Sequence, residues 1–443
     1  MAFKEERLQR PGEPKVTNID IHVPRGDLVD VIGLFGSLTL TEDLFTPHIA
    51  GRVELSDSIN LLDSYNLTGE ERVRVRFGTP TLPVIDFEGS VTGYSPRIMP
   101  TDAAMIYSFD FISPEAISSI TRRVRKGYHK LSYSDMAKKV YSAYLASVGS
   151  VTDRPVKKFR SMPSTGLATI AIPGWRPLDT LSKLAARATD VVPYKNSTFT
   201  CTELCDDGTG TIGGYYFYSL ERLWEDPKIS AKYVWSPKGA DTFNQHKNAD
   251  DFYSVNRWTE KKRMNTVDNI LSGMYSSRVV THDLWKRVLY YTDHNYKSFF
   301  ERSLHLNTST SGHSAAHTRT KELTERPESR EFYVVKQKAY GDSFGPTMDA
   351  FNEVDLLNRN ATMQALFGNQ VIELSVPGDS RRRCGDIINF SIPSPGSRGT
   401  VSGGTPSKDK YITGNYLVTA VTHKILSDPS SYETVMECCK ESS

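Results

Sequence analysis

The stretch Glu71–Phe77, ERVRVRF, constrains this chain more than any other. Successive side chains of a strand point to opposite faces, so Val73, Val75 and Phe77 share one face and Arg72, Arg74 and Arg76 the other. A helix would scatter the same residues around its axis. The segment is therefore a half-buried antiparallel strand. LFGSLTLTEDLF, RVELSDSINLLDSYN, VIDFEGSVTGYS and AAMIYSFDFIS repeat the alternation up to Ile112, with Gly, Asp and Pro between them. Residues 1–112 read as an N-terminal arm and a first β-barrel or sandwich.

At SPEAISSITRRVRKG the period changes. Ser113 suits an N-cap and Pro114 the first helical position. Met136, Val140, Tyr144 and Leu145 then recur at helical spacing, as do Leu178, Leu181, Leu184 and Ala185 behind Pro177. Residues 113–248 form a helical and mixed insert, which closes on two strands about a glycine-rich turn in STFTCTELCDDGTGTIGGYYFYSLERLW. β character returns over 249–300 and 330–430, a second module that the sequence allows to be discontinuous. LNTSTSGHSAAHTRTKELTERPES, within 301–329, has almost no apolar content and reads as a flexible loop; 431–443 reads as a C-terminal tail. The fold class is α+β, mostly β.

With 443 residues the chain expects about three domains, and a net charge of +2 supplies no global attraction to nucleic acid or anionic membrane. No run approaches the ~20 apolar residues of a membrane helix, and the N-terminus lacks the apolar region of a secretory signal. Five cysteines, an odd and sparse set, argue against a disulfide framework and for a reducing compartment.

The candidate chemistry is thin. Gly208–Gly213, GTGTIG, has the glycine spacing of a dinucleotide loop, but a strand-forming YYFY follows where a helix N-terminus is needed, and Asp206-Asp207 would repel phosphate. It reads as a hairpin turn. GHSAA, residues 312–316, lacks the strand and helix of a nucleophile elbow. His313 and His317 lie four apart without the glutamate of a zinc-protease helix, and Cys201 and Cys205 have no second pair. Cys438 and Cys439 stand in the tail as incidental, oxidisable thiols. No catalytic residue, cofactor site or metal site is expected, and the chain reads as a non-enzyme.

One basic feature remains. Arg381, Arg382 and Arg383 sit between Gly378-Asp379 and Gly385-Asp386, at the tip of a strand–turn–strand unit. A solvated loop, a partner-contact loop and a phosphate grip all stay open. If the loop is surface, Arg382→Ala leaves the subunit stable.

The segments NRNATMQALFGNQVIELSVPGDSRRRCGDIINFSIPSP and DKYITGNYLVTAVTHKI resemble the C-terminal region of baseplate hub proteins of contractile-tailed bacteriophages. Phe367-Gly368, Val376-Pro377-Gly378-Asp379, Gly385-Asp386, Ile392-Pro393, Gly414, Tyr416 and His423 carry that likeness. GLFGSLTLTEDLF, IPGWRPLDTLSKLAARA, GGYYFYSLERLW and NILSGMYSSRVVTHDLWKRVLYYT look like further parts of the same family, over about 17–425. The resemblance implies two tail-tube-like antiparallel β-barrels per subunit. It also implies a homotrimer forming a pseudo-sixfold ring, which joins the tail tube or its distal initiator to the central spike. Baseplate wedge proteins would be further partners, and DNA would pass transiently through the lumen. The expected location is the virion's tail baseplate, assembled in the host cytoplasm. Under it, Arg381–Arg383 become a candidate contact loop, and Arg72, Arg74 and Arg76 face the lumen or a neighbour.

Two other classes compete on the residues alone. A cell-wall or polysaccharide hydrolase would need two carboxylates about 5–10 Å apart in a cleft. A carbohydrate- or receptor-binding β protein would use YYFY and DFYSVNRW as stacking platforms.

Overall fold

A computed structural model describes residues 11–441, except 25, 81, 102–103, 149–155, 192–197, 209–211, 226–227, 236–251, 264, 285–286, 297, 299–304, 308–324, 337–352, 395–407 and 410. GHSAA with His313 and His317 therefore lies outside the described residues.

The first module contains β1 (Lys15–His22), β2 (Leu28–Asp30), β3 (Phe35–Asp43), β4 (Ala50–Asp57), β5 (Arg72–Gly78), β6 (Ile85–Tyr94), β7 (Ile98–Thr101) and β8 (Ala104–Ile112). They pair antiparallel in the order β3-β4-β8-β6-β5-β1-β2, with β7 on β8. The alternation works as physical chemistry requires: Val73, Val75 and Phe77 are fully buried with Ile19, Ile21, Leu38, Leu40, Val53, Leu55, Phe109 and Phe111. Arg72, Arg74 and Arg76 point the other way, but into this chain's own carboxylates. Arg74 grips Asp86 with two hydrogen bonds of 3.1 and 2.8 Å, Arg76 lies 3.6 Å from Asp86, and Arg72 lies 3.6 Å from Glu88.

The insert is less helical than its sequence suggests. Helices α1 (Pro114–Thr121), α2 (Tyr133–Tyr144) and α3 (Pro177–Ala185) are present, and Ser132 caps α2 by accepting from the Asp135 N–H. Between them run β9 (Val124–Leu131), β10 (Lys158–Ser161) and β11 (Ala168–Trp175), with β9 and β11 an antiparallel pair. The basic run after Thr121 is strand because its Lys and Arg side chains stay in solvent while Val124 and Tyr128 turn inward. The glycine-rich turn is a hairpin: β12 (Phe199–Leu204) pairs antiparallel with β13 (Gly214–Ser219), which leads into α4 (Leu220–Glu225). The helices and the β12–β13 hairpin share one core through Met136, Val140, Leu181, Leu184, Phe199 and Phe217.

The second module is discontinuous. β14 (Ile229–Val234) and β15 (Arg257–Arg263) precede α5 (Thr266–Leu271) and a separate sheet of β16 (Ser276–Asp283), β17 (Val288–Asn295) and β18 (Glu331–Lys336). A 17-residue helix, α6 (Glu353–Asn369), follows where the sequence suggests only strand. Last come β19 (Gln370–Pro377), β20 (Ile387–Ser391), β21 (Gly414–Leu426) and β22 (Ser431–Lys440). Their order is β15-β19-β22-β21-β20-β14, and Val234 bridges Ser254 just ahead of β15, which returns the sheet to its start. Residues 249–300 thus divide between this ring and the separate sheet.

Two further expectations are corrected. Residues 431–440 are not a tail: β22 lies between β19 and β21, with Cys438 and Cys439 fully buried. Alternating apolar residues, with Tyr432, Met436 and Cys438 inward, make that strand. Within 301–329, residues 305–307 are anchored: the Leu306 N–H donates to Glu441 and Leu306 packs in the second core.

The mostly-β, α+β reading with two β modules about a mixed insert holds. Sequence alone did not show that the modules share a hairpin. The 13-residue β21 pairs with β22 along one edge; on the other it pairs first with β20 and then, past a bulge at Val418/Ala420, with β3. A bulge bends a strand and adds twist, and here it marks the passage from one sheet to the other. The result is one 14-stranded sheet with two cores: Leu417, Val418, Val421 and Met436 enter the second, Ile425 and Tyr432 the first.

Candidate functional site

The arginine run lies where the two cores and the insert meet. Pro377 ends β19 and Gly378 follows so closely under the Tyr432 ring that a Cβ there would fall inside it. The Gly378 N–H donates to the Tyr432 carbonyl at 2.9 Å, and the Tyr432 N–H donates to Gly12 ahead of β1 at 2.8 Å. One residue thus ties both modules by its backbone. Gly385 closes the turn at φ +88°, a region open to glycine and strained for other residues.

Within that turn three arginines meet three carboxylates. Arg381 grips Asp379 bidentately at 2.9 and 3.0 Å. Arg382 reaches Asp379 at 3.2 Å, Asp386 at 3.4 Å and the Ser230 hydroxyl at 2.7 Å. Arg383 donates to the carbonyls of Ser380 and Arg382, both at 2.8 Å, and stands 3.7 Å from Glu42 of β3. Glu42 accepts the Cys205 N–H at 2.9 Å, so insert and both modules meet at one buried ion pair. Burial alone would raise the Asp379 carboxyl, but the hydrogen bond from Arg381 and the charge of Arg382 outweigh it and hold the group below its usual range. At Asp386 burial wins and its pKa is raised.

This corrects the view of the turn as a surface loop. Arg382 and Arg383 are 4% and 6% exposed, and only Arg381, with a third of its side chain in solvent, can meet a partner directly. An unpaired guanidinium in a core is too costly to persist, so burial demanded the local carboxylates. Replacing Arg382 by alanine would leave Asp379 with Arg381 alone and take the guanidinium from Asp386 and Ser230, so a loss of stability is expected where a surface loop would show none.

Sequence reasoning missed Glu42 and the burial of His423, although a signal exists for both. Glu42 follows Leu38 and Leu40 on the inward parity of β3; His423 lies between Val421 and Ile425 on that of β21. A polar residue on the apolar parity of a strand must find a partner inside. His423 Nδ1 lies 2.8 Å from the Tyr432 hydroxyl, and burial, then the Arg383 charge, lowers its pKa from 6.5 to about 3. The unfolded chain therefore takes up a proton below pH 6.5 that the folded chain refuses. Stability should fall as pH drops through that window, by at most about 1.4 kcal/mol per pH unit. His423→Gln should flatten urea midpoints measured from about pH 6 to about pH 4; an undiminished slope would show that another group governs it.

A second network locks the insert. Lys157 Nζ donates to Glu115 of α1 and Glu203 of β12, both at 2.6 Å, and Glu203 also accepts from Ser113 at 2.5 Å and Tyr215 at 3.1 Å. These five groups are committed to one another. Among the described residues no cluster of His, Cys, Asp or Glu could hold a metal, and no helix is long and apolar enough to cross a membrane. Of the residues offered as stacking platforms, Tyr215, Phe217 and Tyr218 of YYFY are buried and the Tyr216 hydroxyl donates to the Ile212 carbonyl, whereas Tyr253 of DFYSVNRW is exposed.

The fold built from these modules and their shared hairpin is also that of two solved tail proteins. A tail protein from Neisseria meningitidis MC58 aligns over 96% of this chain and 96% of its own length, with a TM-score of 0.54 and 10% sequence identity. The 43 kDa tail protein of prophage MuSo2 from Shewanella oneidensis aligns over 96% and 98%, with a TM-score of 0.52 and 10% identity. No protein-family model and no curated protein matches the sequence. At this identity the likeness is one of fold.

Proposed function

We propose that this chain is a structural subunit of a bacteriophage tail, the baseplate hub. Three copies form a pseudo-sixfold ring that joins the tail tube or its initiator to the central spike, contacts the wedge proteins, and surrounds the passage for DNA. It acts without catalysis, in the virion, after assembly in the host cytoplasm of a contractile-tailed phage. The observation that carries this reading is the pair of β modules on one continuous sheet. A trimer meeting a sixfold tube needs two similar faces per chain held in fixed relation, and the shared β21–β22 hairpin, pinned by Tyr432 and the arginine turn, supplies a rigid join.

In micrographs of intact particles, an antibody against this chain should label the baseplate end of the tail. The purified chain should sediment at three times its 49.7 kDa mass. Label confined to heads, or clearing of a peptidoglycan suspension at enzymatic rates, would overturn the reading.

A further inference from the structure

The proposed ring uses the two β modules and their shared hairpin and gives the insert no part. The insert is nevertheless strongly basic. From Arg122 to Asp190 it holds fourteen Lys and Arg against four Asp, a balance of +10 in a chain whose total is +2. Protein surfaces ordinarily intersperse both signs, because like charges on one face repel. The β modules do so: Arg52, Arg74, Arg278 and Arg381 each grip a carboxylate of the same chain.

One face of the insert departs from this. β9 and β11 pair so that Val124 lies opposite Trp175, and the next residues at that end of the pair are Arg123 and Arg176. Arg125 Nε would stand 3.4 Å from a Cβ on Gly174, so its side chain lies along β11 beside Trp175. Lys183 Nζ sits 4.1 Å over the Trp175 ring, and the Leu178 N–H donates to Ser119, which brings α1 alongside. Arg123 in turn donates to the Ile120 carbonyl at 3.2 Å. Arg123, Arg125, Arg176 and Lys183 are exposed, and among the described residues none of the four forms an ion pair. Of the two carboxylates on α1, β9, β11 and α3, Glu115 is buried against Lys157 and Asp179 alone faces water. Ile117 and Ile120, three apart on α1, are 36% and 49% exposed at the border of this cationic face.

We infer that this face docks a segment of another protein that combines Asp or Glu with apolar side chains. Carboxylates answer the four cations, and apolar side chains cover the two isoleucines. The cations alone would attract any polyanion, so the apolar border decides the class. A nucleic-acid backbone leaves both isoleucines in water. A lipid surface needs an aromatic or apolar face free to insert, and Lys183 covers the indole of Trp175. Charge then steers the encounter and is screened by salt, whereas burial of Ile117 and Ile120 holds the complex. This goes beyond the assembly reading, since it follows from the insert alone and does not depend on the ring.

The test uses the full chain at physiological salt. The probes are a labelled peptide of repeated Asp-Leu-Glu-Leu, the same peptide with serine for leucine, a short DNA duplex, and vesicles of phosphatidylcholine with phosphatidylglycerol. The leucine peptide should bind, and the serine peptide, duplex and vesicles should bind at least about tenfold more weakly. Arg125→Glu with Arg176→Glu should weaken the leucine peptide at least about tenfold, because each reversal turns an attraction into a repulsion. The melting point of that variant should stay level or rise, since among the described residues neither side chain has a partner to lose. Ile120→Ser should weaken the leucine peptide and leave the serine peptide unchanged.

A leucine peptide that fails to bind the parent overturns the inference, as does one whose affinity survives the charge reversals. Tighter binding of the duplex or the vesicles would give the face to nucleic acid or to lipid, and equal affinity for the two peptides would leave only a charge field; each counts against it. A melting point that drops with the reversals would show that these cations serve the fold. A chain that binds the peptide as described but never labels tails keeps the docking face and loses the hub role. One that labels tails without binding it does the reverse.

Discussion

Arg383→Ala is expected to destabilise the isolated chain by about 3–5 kcal/mol, the usual cost of removing one partner from a buried ion pair. Glu42 is fully buried and 3.7 Å from the guanidinium, so its carboxylate would be left without a countercharge. The carbonyls of Ser380 and Arg382 would lose their donor as well, which loosens the turn that carries Asp379. Because the pair links β3 of the first module to the turn after β19, the damage should reach both cores. Hydrogen exchange should quicken in β3 and in β21 together. Adding Glu42→Gln should recover part of the loss, since it removes the stranded charge. A single variant whose chemical denaturation matches the parent within about 0.5 kcal/mol would show that the pair is solvated and contributes nothing.

Lys157→Met should have a comparable effect with a distinctive pH dependence. Glu115 and Glu203 would then face one another, buried, with no ammonium between them. Even with Lys157 present, burial raises the Glu115 pKa. Without it the pair should hold a shared proton to still higher pH, whereas glutamate in the unfolded chain titrates near 4.3. Between those values the folded form binds more protons than the unfolded form, so the variant loses stability as pH rises through the window. The expected penalty is about 3 kcal/mol or more at pH 7 and fades toward pH 4. Denaturation midpoints of parent and variant across that range decide the matter; a gap independent of pH would mean that lost packing dominates.

Both predictions rest on residues whose partners are distant in sequence. The strands were legible because period-two alternation is local: ERVRVRF shows its buried face without reference to any neighbour. The helices at Pro114, Tyr133 and Pro177 were legible for the same reason, through caps, proline and 3.6-residue spacing. β9 was hidden because its exposed Lys and Arg residues mask two inward apolar ones. α6 was hidden because its apolar residues are spread around the helix and form no single stripe. The arginine run shows the limit most plainly. Three consecutive charges carry the same local signal in water or in a core, and distant groups that pack on them, among them Ser230 and Glu42, determine which.

Alternation, capping and turn chemistry therefore established the mostly-β class and the mixed insert, since each depends on neighbours a few bonds away. Tertiary structure alone established that β21 and β22 serve two cores and that Arg382 and Arg383 are interior. The reason is that strand pairing and charge burial depend on which distant segment arrives alongside. A backbone edge or a guanidinium holds no record of that partner in its own residues.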